Sequence, residues 1–173
     1  LGGPFEHLRD LRRGIVDATG VEDRIGFCLD TCHLHAAGHD LSTAASARAV
    51  LDRFDELCGL ANLRVMHLND SKGKLASKLD RHEHIGEGWV GGGATAHTGQ
   101  GAFDAARLKA SGFAAVVNHP AITPIPKIME TPKGSDDAGV PFDTINLNRL
   151  RSLTGQKPVN PPSPAAGVAQ TKP

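Results

Sequence analysis

Residues 24–33 read RIGFCLDTCH, and this stretch decides the fold. Ile25, Phe27, Cys28 and Leu29 make a short, nearly continuous apolar run, the pattern of a strand buried on both faces. Working outward, residues 5–18 place Phe5, Leu8, Leu11, Ile15 and Val16 at helical spacing and stop near Gly20. On the other side, residues 42–58 put Val50, Leu51, Phe54, Leu57 and Cys58 on one helical face, with Ser42 placed to cap it. A second buried strand is expected at 63–68 (LRVMHL), a third at 126–131 (PKIMET), and a last helix at 143–153. Helix alternating with buried strand predicts a parallel sheet of βα units.

Three such units cannot close an eight-stranded barrel, which typically takes ~250 residues. The expectation is therefore an open α/β domain or the C-terminal part of a larger (β/α)8 TIM barrel. At 173 residues the chain can bury one core. Nineteen Lys and Arg against nineteen Asp and Glu exclude a histone-like, polybasic grip on nucleic acid, though not a local patch or bound metals. No apolar run approaches the ~20 residues that span a bilayer, and no signal peptide is expected ahead of the fold, which starts at Leu1. Three cysteines, Cys28, Cys32 and Cys58, argue against a disulfide framework and for a reducing compartment.

Two stretches break the rhythm. Residues 86–101 hold seven Gly in sixteen, a composition too flexible for a packed element, and mark a loop or insertion over about 88–110. Residues 155–173 contain five Pro and almost nothing to bury, so a disordered tail is expected beyond a domain at 1–153.

Each expected strand ends in residue types that ligate metals. The first runs into Asp30 and His33, the second into His67, and the third into Glu130. The segment LDRHEHIGEG adds Asp80 and His82, two residues apart and so on one side of an extended chain. In parallel α/β folds such strand ends gather around one mouth. Each residue alone has a plainer reading. Asp30 can cap the next helix, His67 can be a core histidine, DRHEH can be a solvated loop, and Glu130 can accept bonds from a neighbouring loop. All four plain readings together need several coincidences at one end of one sheet. Three His and three carboxylates without paired Cys suit zinc first, then manganese or iron. Cys28 and Cys32 read as core residues, because no second Cys pair exists.

The blocks CLDTCHLHAAGHDL, MHLNDSKG, LDRHEHIGEG and KIMETPK resemble, in order, the later signature blocks of the endonuclease IV family of apurinic/apyrimidinic endonucleases. The resemblance covers roughly residues 4–153 apart from the Gly-rich stretch. It implies a TIM barrel with a trinuclear zinc site that cleaves DNA 5′ to abasic sites during base excision repair. It further implies that Asp30, His67 and Glu130 match ligands of one zinc, that His33, Asp80 and His82 match the set of another, and that Arg81 matches a DNA-facing residue. Glu130 is then also the candidate for orienting the attacking water, and Lys72 a weaker phosphate contact. The family's first two ligand histidines, its bridging Glu and its minor-groove wedges have no counterpart here, so at most two of three zinc sites are represented. The spacing from His82 to Glu130 is longer than the family leads one to expect. The implied partner is double-stranded DNA with abasic sites, bound by a monomer when full length. The implied location is the cytoplasm in a bacterium, the nucleus or mitochondrion in a eukaryote.

Two rivals stand beside this reading. Divalent-metal sugar isomerases and epimerases use the same barrel and present Glu, Asp and His at strand ends; Asp80 and His82 inside DRHEHIGEG favour the nuclease. The other rival is a catalytically inactive fragment that binds metal without chemistry.

Overall fold

The computed structural model describes residues 3–93 and 102–161. Helix α1 (Phe5–Thr19) closes at Gly20, whose φ of 69° lets its N–H return to the Val16 carbonyl. Strand β1 (Phe27–Asp30) leads directly into α2 (Thr31–Ala37), then α3 (Ala44–Cys58) and β2 (Leu63–His67). A short antiparallel hairpin follows, β3 (Asp70–Ser71) with β4 (His82–Glu83). Helices α4 (Ala105–Ala110) and α5 (Gly112–Val117) lead to β5 (Lys127–Ile128) and to α6 (Phe142–Leu153). The three parallel strands run in the order β1-β2-β5. This matches the expected partial barrel: an α/β sheet of parallel strands that, among the described residues, does not close. No helix among the described residues is long and apolar enough to cross a membrane.

The core sits between the sheet and its helices. Ala47, Leu51, Phe54 and Cys58 recur at helical spacing along α3 and are all buried, with Phe54 edge-on to both Phe5 and Phe27. Met66, Leu68, Phe113, Val116 and Ile122 complete the packing. At Gly112 any Cβ would run into the Leu41 carbonyl, which is how closely α5 seats against the turn before α3.

Several expectations need correction. Thr43, not Ser42, caps α3, in a reciprocal box with Ser46. Cys28 is exposed, not a core residue, because the face of β1 that carries it looks onto the open side of the sheet. On the same face of the sheet Ile128 is 44% exposed, and on α1 Leu11 is 62% exposed. Helix α4 lies inside the span read as an insertion, and α5 just beyond it. Asp104 starts α4 by accepting from the backbone N–H groups of Ala106 and Arg107. Residues 94–101, the middle of the Gly-rich stretch, and 162–173, most of the Pro-rich tail, lie outside the described residues. Ahead of them, Val159 exchanges two hydrogen bonds with the Asn148 side chain, which holds that part of the chain against α6.

Candidate metal centre

Parallel register sets the site. Asp30 lies opposite His67, and His67 opposite Ile128, so side chains two residues apart along these strands share one face. Glu130, two beyond Ile128, reaches the same mouth. There His67 Nδ1 is 3.0 Å from Glu130 Oε2 and 3.6 Å from Asp30 Oδ2. His82 Nε2 is 3.9 Å from the same Asp30 oxygen and 3.8 Å from Asp80 Oδ1, and His33 Nε2 is 2.9 Å from Asp80 Oδ1. Six of the residues singled out in the sequence therefore stand in one cluster. A cavity of about 250 Å³ opens beside it, walled by Cys28, Leu29 and Leu34. Arg81 is exposed on the loop between Asp80 and His82.

Asp30 reconciles its two readings. One oxygen caps α2, accepting from the N–H groups of Cys32 (2.8 Å) and His33 (3.3 Å). The other faces His67 and His82. The strand-to-helix junction without a loop forces this double role, because the cap residue is also the last residue of the strand.

The donors fit a metal ion. His82 Nδ1 donates to the Glu130 carbonyl at 3.0 Å, which leaves Nε2 of the neutral ring with its lone pair. That nitrogen is buried without a hydrogen-bond partner and looks toward the Asp30 and Asp80 carboxylates. A lone pair among carboxylate oxygens is electrostatically unfavourable until a cation joins them. Three groupings bring their ligand atoms within 4.8 Å of one another: Asp30, His67 and Glu130; Asp30, His33 and His82; and Cys32, Asp80 and His82. Burial pushes the Cys32 thiol up to about 11.

Behind the ligands are three residues that the sequence reading passed over. Asn69, wholly buried, donates from Nδ2 to Asp30 Oδ2 (2.7 Å) and accepts the Glu130 N–H (2.7 Å). Thr31 accepts from the Asn69 N–H and donates to its carbonyl. Asp70 accepts from the N–H groups of Ser71, Gly86, Gly88, Val90 and Gly91, so the segment 86–91 wraps around one carboxylate. A Cβ at Gly88 would lie 2.5 Å from Asp70 Oδ1, and one at Gly91 would strike Oδ2. These glycines serve close packing, not flexibility. Burial raises the Asp70 carboxyl to about 6, while the five N–H donors pull the other way. The available signal was a run of polar residues, Asn69 to Ser71, directly after a buried apolar strand.

A further buried amide ties the site to α6. Asn146 accepts the Ile85 N–H and donates to Thr131 Oγ1, with His84 Nδ1 at 3.1 Å. Lys72 lies 3.9 Å from Glu83, which makes it part of the hairpin's own charge pairing.

Residues 2–98 match the family model described as xylose isomerase-like TIM barrel. The chain is 40% identical over 157 residues to the probable endonuclease 4 of Geotalea daltonii, covering 91% of this chain and 46% of that protein. It is 39% identical over 134 residues to the apurinic-apyrimidinic endonuclease of Caenorhabditis elegans, covering 78% and 28%. Among solved structures, endonuclease IV from Thermus thermophilus superposes with a TM-score of 0.60 at 32% identity, over 87% of this chain and 44% of that one. The chain thus spans about half the length of the bacterial relatives it matches, or less.

Proposed function

This chain belongs to the xylose isomerase-like TIM-barrel family, and from that premise we propose that it is the C-terminal portion of a metal-dependent DNA endonuclease acting at abasic sites. The observation that carries the reading is the convergence of Asp30, His67 and Glu130 from three strand ends onto one mouth, with His33, Asp80 and His82 alongside. Relatives named endonuclease 4 and apurinic-apyrimidinic endonuclease support the reaction class. Zinc is the metal this mixed imidazole and carboxylate set suits best.

Asp30, His67 and Glu130 would hold one ion, and His33, Asp80 and His82 a second. Bound there, divalent metal supplies an activated water near neutral pH and neutralises charge on phosphate oxygens. The chain's own residues do the rest. Glu130, half exposed at the mouth, would orient a water toward the phosphorus. Arg81, exposed beside the candidate ligands, would contact a phosphate and so position the duplex without reading sequence. An abasic nucleotide reaches such a recessed site at low cost, since it has no base to unstack.

The test is an abasic-duplex nicking time course with added zinc, on a longer protein that contains these segments. Rapid incision that falls at least a hundredfold on Glu130→Gln is the expected result. Ketose isomerisation without nicking would overturn the reading.

A further inference from the structure

Metal sites demand that ligand oxygens be held on aim before the ion arrives, because every degree of freedom frozen on binding weakens affinity. Asp30 is subject to this cost. Its cap to α2 holds one oxygen through two hydrogen bonds, and the carboxylate, which turns as a rigid unit about its last bond, can still rock within their play and carry the other oxygen off His67 and His82. Asn69 closes that freedom. Its Nδ2 lies 2.7 Å from Asp30 Oδ2, the oxygen that faces both histidines, while its Oδ1 takes the backbone N–H of Glu130 at 2.7 Å. A side-chain amide offers, from two separate atoms, a donor to one ligand and an acceptor to the other; an ionised Asp lacks the donor and Leu lacks both. The amide cannot turn over without setting donor against donor at Glu130.

Asn69 is itself held. Thr31 Oγ1 accepts the Asn69 N–H at 2.9 Å and donates to the Asn69 carbonyl at 2.7 Å, and both residues are wholly buried. Thr31 is the first residue of α2, directly after Asp30. The ends of β1, β2 and β5 are thus joined by a chain of hydrogen bonds through Thr31, Asn69, Asp30 and the Glu130 backbone.

We propose that Asn69, latched by Thr31, is the positioning residue of the Asp30–His67–Glu130 centre. This rests on the metal reading above. The test is a cobalt(II) titration of a longer protein that contains these segments, read by the metal's visible absorption, with Glu130→Gln marking the component that belongs to this centre. Asn69→Ala is expected to weaken that component about 10- to 100-fold and shift its band, while circular dichroism of the metal-free protein stays unchanged. Should Asn69→Ala fail to fold, Thr31→Val loosens the same latch without touching a ligand, and a smaller weakening in the same component is expected. Wild-type affinity and band in the folded variants overturn the inference and leave the metal site standing. No cobalt bound by the wild-type protein overturns the metal reading and this inference with it.

Discussion

Glu130 and Asp70 are both carboxylates near the mouth, yet burial makes them opposites. The Glu130 side chain is 52% exposed, so Glu130→Gln should change stability by no more than ~0.5 kcal/mol while metal retention after dialysis falls. Melting curves and metal analysis of one preparation check both halves. On the proposed metal reading, His82→Ala should likewise strip the second ion, since it removes a buried nitrogen that has no hydrogen-bond partner. Asp70 has no solvent access, and its carboxyl is raised to about 6. A folded-state value above the unfolded one means that this group's contribution to stability is fully present below about pH 4 and lost as pH rises through 6. A carbon-13 titration of the Asp70 carboxyl should show a midpoint near 6; a midpoint at or below about 4 would mean that the five N–H donors outweigh burial. The candidate ligands were legible because Asp30, His67 and Glu130 are ligand types at strand ends and His33, Asp80 and His82 are ligand types in the segments beside them. Asn69, Thr31 and Asp70 were not, because the same letters are ordinary turn formers and only their neighbours in space show what they bond.

At the scale of elements, α1, α3, α6 and the three parallel strands were legible from spacing, since each buries one stripe or run against a single core. Helix α2 was not, because it starts on the residue after β1 and leaves no turn signal between them. Helices α4 and α5 are six residues each, too short for a periodic stripe to emerge, and they adjoin a Gly-rich stretch whose composition reads as loop. The glycines themselves test the packing around Asp70. Gly91→Ala pushes a methyl group against the Asp70 carboxylate and the Gly86 backbone, and should cost ~1–3 kcal/mol as overpacking. Gly155→Ala, where nothing lies within 4 Å, should cost only what its left-handed φ of 71° imposes, about 1 kcal/mol. Equal melting temperatures for Gly91→Ala and wild type would mean that segment 86–91 does not close around Asp70 as described.

For the whole molecule, the open sheet is the governing fact. Among the described residues β1 and β5 are edge strands, and Leu11, Cys28 and Ile128 are exposed around them. Unpaired edges beside apolar surface promote association, so the chain alone should elute as aggregate or bind hydrophobic dye, as light scattering will report. A sharply melting monomer would contradict this. Its nicking rate should fall at least a thousandfold below that of a longer protein containing it, about 4 kcal/mol of transition-state stabilisation, because the first two ligand histidines and the bridging Glu of the resembled family are not in this chain. The amino-acid sequence by itself determined the βα rhythm, the three strands and the six candidate ligands, since those depend on local periodicity and residue type. Tertiary structure alone decided that the candidate ligands meet, that Asp30 both caps a helix and faces them, and that the glycines enclose a carboxylate. These follow from strand register and burial, which join residues far apart in the chain and which no local window contains.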